Sequence, residues 1–365
     1  MTLLVENSEV DENIHLFSNK CAKEKELTSL EYFEFVSNLA ENNWSFALGI
    51  SMHLFTVWGL NYTLNDLQKV QFFDESLDRR DLFASLNEPS IYFTPLNRID
   101  PNQFQIRATR CKNGFVVNGV KRFVSFEPNV RFLPVYCLVT NEKKENTIIA
   151  LIIDKFSKGV NVINDWDSMS MRETQSNSIL FENVFVPQQY LICNEQETLQ
   201  KTKIFNYLFR LSICAVYFGM SKYVIKHIEQ TIKNKNIPHW KTKLSLLPNI
   251  QFSYSSALIK YETMYSQIIR YCGVIDAHLN GLDSANESIE MLSLITKQIV
   301  AENVEQLVNI AMKIEGMSSI SNNNPLSKVY RDMKAIQFHP PQEDILKELI
   351  AKNKLGIITL KNRWC

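Results

Sequence analysis

The sequence predicts a multidomain α+β fold: helices first, then a β-domain, then a helical bundle. Three observations predict it. Apolar residues recur at helical spacing before residue 80 and again after about residue 195. Between these regions short β-rich runs follow one another without intervening helices. We therefore expect an N-terminal helical domain in 1–80, a central antiparallel barrel or sandwich in 81–193, and a C-terminal up-and-down four-helix bundle in 194–365.

The elements follow in order. Leu30, Phe33, Val36 and Leu39 keep one helical face, and a second apolar segment spans 44–60. Residues 64–73 read as a third short helix, which Asn65 and Asp66 are suited to cap. The β-rich runs are LFASL, FQIRA, GFVVNG, RFLPVYCLVT, TIIALIID, VNVIN and SILFENVFV. Turn signals separate them at Asp100-Pro101, at 112–114, at 141–144 and at Lys158-Gly159; Asn118-Gly119 reads as a hairpin turn. Long amphipathic stretches then cover 200–235, 248–280 and 286–314, where Leu292, Ile295, Ile299, Leu307, Ala311 and Ile314 form a stripe.

Composition narrows the function. The chain has 365 residues, enough for a large core, with 39 basic and 39 acidic side chains and a formal net charge of zero. No basic stripe with interleaved aromatics is present, so no nucleic-acid partner is expected. The N-terminal residues lack the cationic start and apolar run of a signal peptide. The best apolar stretch, 46–60, contains His53 and is shorter than the ~18 residues of a membrane span. A cytoplasmic location is the expectation. Seven cysteines without a CxxC pair read as reduced thiols, and six scattered histidines form no metal-ligand pair.

Three segments carry more. Residues 114–126 read GFVVNGVKRFVSF, 165–192 read DWDSMSMRETQSNSILFENVFVPQQYLI, and 325–356 read PLSKVYRDMKAIQFHPPQEDILKELIAKNKLG. In order and content they resemble the acyl-CoA dehydrogenase superfamily. That resemblance implies FAD held between the β-domain and the helices. It also implies an acyl thioester, on CoA or a carrier protein, as substrate, and a homodimer or homotetramer.

The resemblance assigns residues by position. Asn87-Glu88-Pro89 is similar to the family's (T/S)EP segment beside the flavin, followed here by bulky Ile91 and Tyr92. The triplet Phe123, Val124 and Ser125 stands where the family has the aromatic residue packed on the flavin and a hydroxyl near its N5. Arg172 and Ser176 lie in a stretch similar to MGMRGT-x-S, which shapes the substrate side. Arg210, ahead of Gly219, resembles the arginine of a small-residue helix on that side. Lys235 stands where an arginine grips the FAD pyrophosphate, and Lys313 and Gly316 fall in the phosphate loop.

The base is the largest departure. The family takes an α-proton with a glutamate, whose position here holds Pro340 in the run His339-Pro340-Pro341-Gln342. The alternative glutamate position holds Phe209. His339 and Glu343 are the nearby candidates. Three readings follow: a flavin oxidoreductase acting on an acyl thioester; a flavin-dependent monooxygenase-type member; and an inactive member serving as a binding subunit, as in a hetero-oligomer with an active paralogue.

Overall fold

A capping box starts the long N-terminal helix. Thr28 Oγ1 accepts from Glu31 N at 3.2 Å, and the Glu31 carboxylate accepts from Thr28 N at 3.0 Å. The computed structural model describes residues 8–88, 91, 102, 104–140, 146–193, 197–237 and 242–357. In it, helix α1 (Ser8–Lys23) packs on α2 (Ser29–Thr63). Asn43 leaves helical geometry (φ −152°, ψ 93°), and its side-chain oxygen accepts from Phe46 N, capping the second half. The two apolar segments read from the sequence are thus the two arms of one kinked helix. A second capping box, Asn65 with Gln68, starts α3 (Asp66–Lys69). The expected third helix is broken there by a π-helical turn, Val70–Asp74, that buries Phe72 and Phe73 before α4 (Glu75–Asp78).

Among the described residues seven strands form one curled sheet: β1 (Leu82–Phe83), β2 (Arg107–Cys111), β3 (Gly114–Val124), β4 (Val130–Thr140), β5 (Asn146–Asp154), β6 (Val160–Ile163) and β7 (Asn177–Pro187). Their order is β1-β4-β2-β3-β7-β6, with β5 also on β4. The sheet is mixed, because β1 and β2 both run parallel to β4. β3 reverses the chain after β2 and the turn at 125–129 reverses it again, so β4 runs in the direction of β2.

Asn118-Gly119 is not a turn. β3 passes through it unbroken, pairing with β2 on one side and β7 on the other. Gly119 sits at a register shift with φ +134°, and a Cβ there would lie 2.2 Å from Gln105 O. The reversal comes earlier, at Asn113 (φ 71°). A strand held on both edges overrides a local turn preference.

The helical part comprises α5 (Thr198–Lys201), α6 (Lys203–Asn234), α7 (Pro248–Leu279), α8 (Asp283–Glu315), α9 (Pro325–Met333) and α10 (Glu343–Leu355). α6, α7 and α8 pack on one another, α10 lies on α8, and α2 packs along α6 and α7. One apolar core therefore runs through N-terminal and C-terminal helices, and a second fills the sheet. The helical segment 198–234 is long and apolar enough to cross a membrane, which the reading of 46–60 as the best such stretch missed. Its most apolar stretch is 89% buried among the other helices.

Candidate active site between the sheet and the bundle

The end of β3 and the loop that follows β6 face the helices across a cavity of about 740 Å³. That size lies within the ~300–1,000 Å³ of small-molecule sites. Lys121, Arg122, Phe123 and Ser125 all line the cavity, because the register shifts between Lys121 and Val124 and left-handed Phe123 breaks the strand's alternation. The backbone around it is strained. Phe123 (φ 56°), Phe126 (φ 56°), Met171 (φ 51°) and Gln175 (φ 42°) are left-handed without being glycine. Each such residue costs on the order of 1–3 kcal/mol, and this clustering is typical of functional sites.

Hydroxyl groups line one wall. Ser176 Oγ lies 2.8 Å from Thr174 Oγ1 and 3.2 Å from Ser125 Oγ, while Thr174 donates to Met171 O at 2.9 Å. Trp166 meets Phe123 edge to face at 6.5 Å and donates from Nε1 to Arg172 O. Buried Asp332 ties this loop to the helices. Its carboxylate accepts from Trp44 Nε1 and from Met171 N, both at 2.7 Å, and its carbonyl accepts from Ser170 Oγ at 3.1 Å. Burial raises its pKa, against the pull of these donors.

The opposite wall is Phe209 of α6 and the segment 334–345. Buried Lys297 props this segment by donating to the carbonyls of His339 and Pro341, each at 2.8 Å, and burial lowers its pKa to about 8. His339 Nε2 lies 3.2 Å from Tyr217 Oη. Although the cavity leaves the residue partly open, packing inside pushes its imidazole down to about 3, with the Lys297 charge as the second cause. Among the described residues, none lining the cavity is Asp or Glu, whereas Lys121, Arg122 and Lys334 all line it.

Of the residues selected from the sequence, Asn87, Phe123, Ser125, Ser176, His339 and Pro340 meet at this cavity. Val124 instead points into the sheet core. Arg172 stays exposed on the outer rim, 4.0 Å from Asp167. Arg210 is fully buried behind Phe209, donating to Ser293 Oγ and to Glu290 at 3.2 Å. Glu343 is exposed at the start of α10, where Lys347 lowers its pKa.

Lys235, Lys313 and Gly316 lie together near the other end of α6 and α8. Lys235 Nζ donates to Glu315 O at 2.8 Å. The Glu315 carboxylate, held by Thr231 at 3.0 Å and 3.5 Å from His227, sits among them. Pro89, Tyr92, Pro238 and His239 fall outside the described residues. Sequence reading passed over Lys121 and Asp332. The nearness of Lys121 to Phe123 and Ser125 was the available signal for the first; the second lay in the tail segment that carries the resemblance, where no role was assigned to it.

Another buried histidine supplies a pH test. His53 Nδ1 accepts from Phe83 N at 3.0 Å, so its Nε2 carries the proton and donates to Ser18 Oγ at 2.7 Å. It therefore does not activate Ser18 as a nucleophile. Burial pushes its pKa to about 3. Between there and the ordinary ~6.5 the unfolded chain binds more protons, so this stability is present above pH 6.5 and lost as pH falls. We expect the urea midpoint to drop between pH 7 and pH 4. In a His53→Gln variant the stability slope should be shallower by up to ~1.4 kcal/mol per pH unit. Parallel slopes would contradict a buried neutral imidazole.

Comparison with known proteins agrees with this architecture. Residues 204–355 match the family model for the acyl-CoA dehydrogenase C-terminal domain. The chain is 25% identical over 257 residues to a putative acyl-CoA dehydrogenase of Bacillus subtilis, covering 67% of this chain and 61% of that relative, less than two thirds of its length. Butyryl-CoA dehydrogenase from Megasphaera elsdenii superposes with a TM-score of 0.82 at 17% identity, covering 96% of this chain and 91% of that one. The dibenzothiophene monooxygenase TdsC from Paenibacillus sp. A11-2, solved with FMN and indole, superposes with a TM-score of 0.83 at 16% identity and the same coverage.

Proposed function

The chain belongs to the acyl-CoA dehydrogenase superfamily, and from that premise we propose that its sheet–bundle cavity holds a flavin ring for an oxidation that uses no carboxylate base. The reaction class is that of the flavin-dependent monooxygenases. The observation that carries this reading is the cavity wall itself: hydroxyls and aromatic rings, three cations, and no carboxylate among the described residues. α,β-Dehydrogenation needs a proton acceptor at the substrate α-carbon, and loss of such a base costs ~10²–10⁴-fold.

A bound flavin supplies hydride acceptance or oxygen activation. The chain's own residues do the rest. Phe123 and Trp166 offer aromatic surface to a planar ring. With Thr174 available as Ser176's acceptor, the Ser125 hydroxyl is left to turn into the cavity. Met169 and Phe338 at the mouth limit water entry. The segment expected to grip a FAD pyrophosphate does not fit a diphosphate, because Glu315 would repel it. The reading therefore rests on the ring site, and no step is assigned to Lys235, Lys313 or Gly316.

A second reading is acyl-thioester oxidation. It is favoured by His339, which stands on the cavity wall with Tyr217 at 3.2 Å. An imidazole pushed to about 3 is a weak proton acceptor at neutral pH, which ranks this reading lower.

The test is spectroscopic. The full chain is purified and reconstituted with FMN or FAD. A yellow protein that consumes oxygen only with supplied reduced flavin supports the first reading. Anaerobic bleaching by an acyl-CoA supports the second. A chain that binds neither flavin overturns both and leaves a binding subunit.

A further inference from the structure

The three cations of the cavity are not equivalent. Lys334 is ion-paired with Glu305 on the outer side of α8 and lies over the Tyr330 ring. Arg122 is exposed and feels the charge of Asp165. Lys121 is only 7% exposed, yet its side chain lines the cavity. Among the described residues its ammonium has no hydrogen-bond partner. Glu88 and Cys137 face it through space, and Glu88 favours its charged form. Burial is the stronger effect and pushes it down to about 8, so at neutral pH it is mostly protonated. A buried ammonium without a counter-ion in contact is costly, and an anion brought to it by a ligand relieves that cost. The surrounding wall is apolar and aromatic, with Phe123, Trp166, Phe209 and Phe338.

We propose that Lys121 is the recognition group for an anionic substrate head in this cavity, and that the substrate class is an aromatic or apolar carboxylate whose body lies against Phe209 and Phe338, on the wall opposite the Phe123 and Trp166 surfaces left to the ring. The inference rests on the proposed function for its use in catalysis, but its binding step stands without flavin. It also accounts for the lack of a carboxylate among the described residues of the wall, since an acidic side chain there would neutralise Lys121 and repel the ligand.

The test uses the flavin-free full chain and a matched pair of probes, 2-naphthoate and neutral 2-naphthamide, titrated by calorimetry. One charge-assisted hydrogen bond predicts that the acid binds about tenfold or more tighter than the amide. Lys121→Met keeps the length and apolar stem. It should remove about tenfold or more of acid affinity and leave the amide within about twofold. Arg122→Gln and Lys334→Gln should each keep most of the preference. Equal affinity for acid and amide, no measurable binding of either, or a preference that survives in Lys121→Met but vanishes in Arg122→Gln would overturn the proposal. The acid–amide comparison in the unaltered chain stands even if a variant does not fold. A protein that takes up flavin but shows no acid preference refutes this inference alone; one that prefers the acid but never takes up flavin refutes only the flavin reading.

Discussion

Gly219→Ala is expected to destabilise the chain by ~3 kcal/mol or more, through overpacking at the closest approach of two helices. A Cβ at Gly219 would lie 2.2 Å from Ser37 O and 2.7 Å from Ala40 Cβ. The first contact is with helix backbone, so α2 and α6 would have to move apart. That junction is central to the helical core, with Phe33, Val36, Tyr217 and Phe218 all buried beside it. Gly273 supplies the control. It also sits inside a long helix, but a Cβ there meets nothing within 4 Å. Gly273→Ala should stabilise by roughly 0.5–1 kcal/mol, because alanine loses less backbone entropy than glycine. The same chemical change should thus have opposite signs at the two positions in urea and thermal unfolding. Equal shifts would mean that α2 and α6 are not in backbone contact.

Asp332→Ala should cost ~2–5 kcal/mol and weaken ligand binding beyond that loss of stability. Truncation strands two buried donors, Trp44 Nε1 and Met171 N, each worth about 1–3 kcal/mol when left unmade. Relief of the buried carboxylate's own desolvation, visible in its raised pKa, offsets part of this and favours the lower end. The local consequence is larger. Met171 and Ser170 line the cavity, and the left-handed backbone at Met171 is held by that hydrogen bond. Without it the strained loop can relax and change the wall. Asp332→Asn keeps one acceptor oxygen and should fall between. Thermal unfolding with the naphthoate titration separates the two effects. A variant that loses stability but binds normally would show that Asp332 merely packs.

Part of the site was legible through the order of segments. Phe123 and Ser125 were picked by their place in a stretch resembling the family's, and the cavity receives both. His339 and Pro340 were legible through the order of segments in the tail. Arg172 and Arg210 carried the right charge for a substrate-facing role, but sequence says nothing about which way a side chain turns. One stays on the outer rim and the other is sealed behind Phe209. Glu343 was close in sequence, yet helix α10 carries its carboxylate outward to Lys347. The Asn118-Gly119 signal was misread because turn preference is worth less than strand pairing on both edges.

Periodicity alone determined the order of helices, strands and helices, since apolar spacing of 3.6 or 2 residues reflects which face must leave water. It placed the boundaries of α6, α7 and α8 to within a few residues. Only the tertiary structure decided that α2 joins the C-terminal helices in one core, that Asp332 reaches the loop at Met171, and that Lys121 faces a cavity with no acid among its described lining residues. Each of these depends on contacts between residues far apart in the chain, and a side chain's solvation is fixed only when those distant surfaces close over it.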